Sequence, residues 1–412
     1  MNEMKKFSVI ALGAIALALG GAATVNGLVD PYGVFGAPEI AGVNADKVEA
    51  INQPELSKFY MLERAQPKTI LLGNSRVDLG LMPSSAAWPA ATKPVFNFAI
   101  PGFNANERVQ DFQHALTVTK PETLIYGLGI DDTWPIEAVS PFDPGTIRRN
   151  ARLAVTMEGK ANPYAFAGRF ADYAFALTSL RAISNSVNTV KEQGDPQLSH
   201  MTADGWNSGG LNEAQVTNEG AYEVMAWKDR DKAQRITKWA KDPKIDFAPQ
   251  KRLFAAAAAN KVKVIVFIPP AYADEYLLYR LAGLQGVYDD WKRNLVALVE
   301  ETRASGAEIE LWDFSGINEY SAESLPAPGD KTARLTWFWE SQHFKPALGE
   351  KVIAALNGAN EDFGLKLTSA NVDAHSQAAR EALDQFIAAN PEAVARVTGF
   401  LAEAAPQQAA QR

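Results

Sequence analysis

Residues Ile70-Leu71-Leu72-Gly73-Asn74-Ser75-Arg76 form an apolar run that ends in a small-residue turn carrying one hydroxyl. After Pro67-Lys68-Thr69, Ile70 to Leu72 read as a short buried strand, and Gly73-Asn74 supplies the turn at its carboxyl end. Ser75 is therefore expected where open α/β sheets place their chemistry, in the crevice beyond the strand ends. A serine hydroxyl is a poor nucleophile until a base takes its proton, so the turn needs a histidine. The chain has only His114, His200, His343 and His375. Of these, His343 lies in Trp339-Glu340-Ser341-Gln342-His343-Phe344, with a carboxylate three residues before the imidazole.

Outward from that turn, strands and helices alternate. Pro94 to Ile100 reads as a second strand, alternating enough to lie near a sheet edge, and is followed by the turn Pro101-Gly102-Phe103-Asn104. Asn104 is expected to cap a helix whose apolar positions Val109, Phe112, Leu116 and Val118 roughly follow helical spacing. Glu122 to Gly129 is a third strand, ending in Asp131 and Asp132. An alanine-rich helix near Gln250 to Ala259 leads into a fourth strand, Val262 to Ile268, stopped by Pro269-Pro270. A helix from Gly286 to Ala304 precedes a fifth, Ile309 to Phe314. Five strands with helical crossovers predict an α/β fold with a three-layer parallel sheet in flavodoxin-like order. His343 falls on the loop before a last helix, Pro346 to Leu356, at the sheet edge expected to carry Ser75.

The block 140–246 breaks this alternation. Tyr164 to Val190 is helical in periodicity, with Phe166, Phe170, Tyr173, Leu177 and Leu180 available for one face; a Gly-, Asn- and Ser-rich stretch and a polar helix from Tyr222 to Trp239 follow. Two readings stand, a cap over the catalytic edge and an aromatic-packed satellite core with no ligand. The organisation expected is thus an anchor or signal segment at 1–30, a catalytic-type domain at 31–139 and 247–358 interrupted by the helical insertion 140–246, and a helical tail at 359–412, disordered from Ala404 on.

At 412 residues and 47% hydrophobic, the chain can fill a substantial core. A net charge of −8 argues against nucleic acid as a partner, which leans on clustered Lys and Arg. The absence of cysteine excludes disulfides, thiolate catalysis and Cys-based zinc sites. His114, His200 and His375 are not spaced as ligands, so no metal is expected. Gly127-x-Gly129 lacks the rest of a dinucleotide fingerprint, no Walker-type lysine occurs, and no cofactor is expected. Lys5 and Lys6 precede an apolar run from Phe7 to Val25, about long enough to cross ~30 Å of hydrocarbon. The lysines favour a cytoplasmic amino terminus and a single-pass protein of the cytoplasmic membrane whose main domain lies outside the cytoplasm. A cleavable signal ending near Gly20-Gly21-Ala22-Ala23 is the rival reading.

The Gly73-Asn74-Ser75 turn and the late Glu340-Ser341-Gln342-His343 resemble, in residue type and chain order, the SGNH hydrolase superfamily, which carries an early Gly-x-Ser and a late Asp-x-x-His. The nearer likeness is to membrane-anchored relatives that O-acylate cell-envelope polymers, such as the D-alanyl transfer protein of teichoic-acid synthesis and the alginate acetyltransferases. This resemblance implies an SGNH hydrolase fold and a Ser75, His343 and Glu340 triad, with Gly102 as a backbone donor to the oxyanion. It also implies an acyl-bearing envelope polymer or glycan as substrate and a membrane-bound O-acyltransferase as acyl-donor partner. Two positions depart from the family: Glu340 stands for Asp, and Gly127-Leu128-Gly129-Ile130-Asp131-Asp132 stands where an oxyanion-hole Asn is usual. A negative Asp131 would repel an oxyanion unless protonated or turned away. Arg76 is expected to pair with Asp131 or Asp132 or else to position substrate, and Asn104 completes the candidate binding set. The functions these residues point to are a serine O-acyltransferase or esterase and, alternatively, an inactive envelope assembly or polymer-binding protein on the same fold.

Overall fold

The computed structural model describes residues 3–102, 104–135, 143–358 and 362–405. Its first part runs α1 (Glu3–Val29), α2 (Pro54–Ala65), β1 (Thr69–Leu72), α3 (Ser75–Gly80), β2 (Val95–Asn97), α4 (Ala105–Val118) and β3 (Thr123–Gly127). A helical block follows, made of α5 (Pro144–Arg152), α6 (Ala165–Thr178), α7 (Leu180–Lys191), α8 (Gly210–Glu219) and α9 (Ala221–Trp239). The alternation then resumes through α10 (Ala248–Ala259), β4 (Lys263–Ile268), α11 (Ala273–Leu281), α12 (Gln285–Ala304), β5 (Ile309–Asp313) and α13 (Pro346–Leu356). β6 (Leu365–Lys366), α14 (Val372–Ala389) and α15 (Pro391–Ala404) end the described chain.

Among the described residues the sheet has six strands in the order β2-β1-β3-β4-β5-β6. β1 pairs in parallel with both β2 and β3, so the chain reverses direction of growth beside β1, where the crevice of an open parallel sheet forms. The five strands expected are all present and mutually parallel; β6 is an added antiparallel edge of two residues, too short to leave a periodic signal. Side chains alternate between the two faces. Ile70, Leu72, Leu124, Tyr126, Val264 and Val266 pack with Val109 and Phe112 of α4, Leu253 of α10 and Trp291 of α12. Leu71, Ile125, Ile265 and Phe267 pack with Val77 of α3 and Leu348 and Val352 of α13 on the other face. Continuous apolar strands covered on both sides are what a parallel sheet requires.

Several elements differ from the sequence expectation. The single helix expected over Tyr164 to Val190 is two, because Ser179 leaves helical geometry and caps α7 by accepting the Ala182 N–H at 3.0 Å. The Gly-rich stretch holds α8, and α11 starts just after Pro269-Pro270, where a proline pair hides the helix signal. In the tail, α14 and α15 close over the rest of the fold: Leu383, Val397 and Phe400 are buried in the main core, and Arg396 reaches Asp274 of α11 at 2.6 Å. Of the stretch expected to be disordered from Ala404 on, Ala404 instead ends α15, and residues 406–412 lie outside those described.

The amino-terminal helix α1 is long and apolar enough to cross a membrane, and its most apolar window has no buried residue. It meets the domain only from Ala22 onward, where Asn26 and Val29 are buried. The block 140–246 divides by location. α9 reaches the carboxyl edge of the sheet, whereas α6 and α7 lie against α1 and α2, sharing a small core of Tyr32, Leu56, Tyr60, Ala176 and Ala182.

Candidate active site

Ser75 opens α3 directly after β1, and Asn74 caps that helix by accepting the Arg76 N–H at 2.9 Å. The Asn74 amide in turn donates to Asp132 at 3.2 Å. Asp132 also accepts the Gly129 N–H at 2.8 Å and pairs with Arg108 at 2.7 Å, tying the turn after β1 to the turn after β3. A six-residue helix cannot hold itself together, so its neighbours must. Buried Lys58 binds Asp78 at 2.5 Å, and Asn97, from the end of β2, donates to the Val77 and Leu81 carbonyls at 2.9 Å each.

His343 reaches the same edge through a backbone approach that only glycine permits. A Cβ on Gly349 of α13 would lie 1.8 Å from the Gly80 carbonyl oxygen, and one on Gly80 would lie 2.1 Å from the Phe344 ring. The helix that begins with Ser75 and the helix that follows His343 are therefore in direct contact. His343 Nε2 lies 2.6 Å from Ser75 Oγ, across 268 residues of sequence. Its Nδ1 contacts Glu340 Oε1, and the other Glu340 oxygen accepts the Gln342 N–H at 2.7 Å. An ionised carboxylate only accepts, so Nδ1 carries the proton and Nε2 is left to accept from the Ser75 hydroxyl. Burial alone would raise the Glu340 carboxyl. The facing imidazole and the Gln342 N–H outweigh it and hold the group down at about 2.

Arg76 is buried and turned away from bulk solvent. It pairs with Asp131 at 3.5 Å, as expected, but its closer partner is Glu275 of α11, at 2.8 and 3.1 Å. Lys232, wholly buried on α9, completes the group at 3.0 Å from Asp131 and 3.4 Å from Glu275. Two cations and two carboxylates thus cancel beside Ser75. Asp131 is not protonated: against the pull of burial, Lys232 and Arg76 hold it far below the ordinary carboxylate range. The repulsion expected from that residue is instead offset by its cationic partners.

Ser75, His343, Gly102, Asn104 and Asp131 all line one cleft of about 810 Å³. It is also lined by α9 and the loop after it, with Lys228, Arg235, Lys238 and Lys241, and by Trp134 stacked on Trp239 at 4.6 Å. Gly102 sits in an exposed turn at φ +76, a conformation that other residues adopt with strain. Asn104 forms a capping box for α4: its side chain accepts the Asn106 and Glu107 N–H groups at 2.9 and 3.1 Å, so its carbonyl oxygen is committed to the helix. A larger groove, about 1240 Å³, lies between α2, α5 and α6 and touches none of these residues. Among the described residues no group of three or more His, Asp or Glu side chains is arranged to hold a metal.

Glu275 and Lys232 were not singled out from the sequence. Lys232 sits in a helix charged on several faces, and Glu275 in a helix the proline pair concealed, so neither carried a local signal. Compared with known proteins, the chain matches no family model and no curated sequence.

Proposed function

We propose that the chain is an SGNH-type serine O-acyltransferase or esterase, anchored in the cytoplasmic membrane with its main domain outside the cytoplasm, that acts on acyl esters of an envelope polysaccharide or related polymer. The observation that carries this reading is the chain of contacts from Ser75 Oγ to His343 Nε2 and from His343 Nδ1 to Glu340, with Ser75 and His343 lining an open cleft. The strand order 2-1-3-4-5 supports the flavodoxin-like arrangement that such a site accompanies.

Ser75 Oγ attacks the acyl carbonyl carbon while its proton passes to His343 Nε2, and Glu340 stabilises the imidazolium. The N–H groups of Ser75 and Gly102 receive the oxyanion, each good donor contributing about 3 kcal/mol. Collapse breaks the ester bond, and the leaving alcohol takes the proton from His343. An acceptor hydroxyl, from a glycan or from water, then returns a proton to His343 as it attacks the acyl-serine and frees Ser75. A membrane-bound O-acyltransferase is the acyl-donor partner this reading implies, and Lys5 and Lys6 before the span favour the orientation.

A serine-directed fluorophosphonate probe tests it. The full chain is expected to label, and Ser75→Ala and His343→Ala to lose the label completely. Failure of the unaltered protein to label would leave an inactive assembly or polymer-binding protein. Acyl release measured with and without a glycan acceptor then separates transferase from esterase, since water as the sole acceptor ends the transferase reading.

A further inference from the structure

We infer that the α6–α7 hairpin is a second membrane contact, laid on the lipid surface beside the point where α1 leaves the bilayer; this rests on the reading of α1 as a membrane span. The polarity of α6 is inverted. Its only charged residues, Arg169 and Asp172, point inward and are spent on Glu63 and on Arg152, the latter at 2.9 Å. Its outward face is apolar, with Phe166 86% and Phe170 68% exposed and Tyr164 just before it exposed as well. Leu180, at the tip between the helices, is 83% exposed. A helix that buries its charges and shows aromatics outward is adapted to an apolar surrounding.

Lipid is the occupant that the position of this face favours. The apolar run Phe7 to Val25 of α1, which begins after Lys5 and Lys6, spans about 28 Å at 1.5 Å per residue, close to the ~30 Å of a hydrocarbon core. The membrane boundary therefore falls near Val25, and the next residue of α1, Asn26, is bonded to the hairpin. Asn26 donates to the Leu177 carbonyl at 2.8 Å and accepts from Ser186 at 2.8 Å. The tip of the hairpin is thus fixed to α1 next to the end of the span. α7 adds exposed Val187 and Val190 flanked by Arg181 and Lys191 and carries no acid, a composition suited to anionic headgroups.

The chain contains no cysteine, so single-cysteine spin labels report one site each. Full-length protein carrying a label at Leu12→Cys, Phe166→Cys, Phe170→Cys, Leu180→Cys or Ser305→Cys is reconstituted in nanodiscs of phosphatidylcholine and phosphatidylglycerol. Relaxation by oxygen is compared with relaxation by an aqueous nickel chelate. The three hairpin labels are expected to favour oxygen and lose nickel access, as Leu12 does, while Ser305 stays open to nickel. Hairpin labels that remain nickel-accessible with Leu12 shielded would overturn the inference and leave the anchor intact; an aqueous Leu12 would end both. Shielding that persists in detergent, with dipolar coupling between labels on two molecules, would assign the face to a second copy and also overturn it. Unchanged thermal unfolding of each variant confirms that the fold is retained.

Discussion

The carboxyl edge of the sheet and the α6–α7 hairpin both bury ion pairs, yet they present opposite surfaces. At the sheet edge, Arg76, Lys232, Asp131 and Glu275 are sequestered behind Ser75 while the cleft itself is walled by the charged Lys228, Arg235 and Lys238. On the hairpin, Asp172 is buried against Arg152 and Arg169 half-buried against Glu63, beneath a face of Phe166 and Phe170. The difference shows that buried pairs do not dictate what faces outward. In one place they fix a short helix that presents a hydroxyl, and in the other they free a helix surface of charge.

The largest break in this contrast comes from the polar side. Glu340→Gln keeps the shape but removes the charge that stabilises the imidazolium and lets an amide NH2 favour the wrong tautomer, so the probe-labelling rate is expected to fall about 10⁴-fold with the fold intact by circular dichroism. Next, Lys232→Met leaves Asp131 and Glu275 with Arg76 as their remaining partner in the group; a loss of about 3 kcal/mol is expected in denaturant unfolding, and Lys232→Arg should recover most of it. A loss below half a kilocalorie would show that the network does not hold α3.

Acid separates the two regions further. His114, under the hairpin side and contacting Glu63, is lowered to about 3 by burial and by Arg169 and Arg149. Because the unfolded chain takes up that proton near 6.5 and the folded one near 3, stability should fall as pH drops from 6.5, and His114→Gln should flatten the slope. Glu340 works in the other window. Held at about 2 against an ordinary 4.5, its contribution is complete above 4.5 and disappears only as pH falls toward 2. Hydrogen exchange at pH 5 should therefore show the hairpin side loosening before the Glu340 loop. The smallest effect expected is Phe166→Ser with Phe170→Ser: stability within about 0.5 kcal/mol of the parent, since neither ring is packed in the core.

Much of the site was legible because its signals are local. Ile70 to Leu72 is a continuous apolar run, Gly73-Asn74 is turn chemistry, and Glu340 and His343 share a loop short enough to read as a unit. Asn104 was legible as a cap, and the capping box accounts for its side-chain oxygen. Gly349 against Gly80, Glu275 against Arg76 and Lys232 against Asp131 were not legible, since each relation joins residues far apart in the chain that nothing nearby distinguishes.

The sequence by itself determined the α/β alternation, the five parallel strands, the apolar amino-terminal helix and the local turns that carry Ser75, Glu340 and His343, because periodicity and turn chemistry act over a few residues. Only the tertiary structure decided that Ser75 and His343 stand 2.6 Å apart, that Asp131 keeps its charge beside two cations, and that α6 turns its aromatics outward. Those outcomes depend on which surfaces meet when the sheet closes and on the desolvation of charges there, and neither is encoded in the local order of residues.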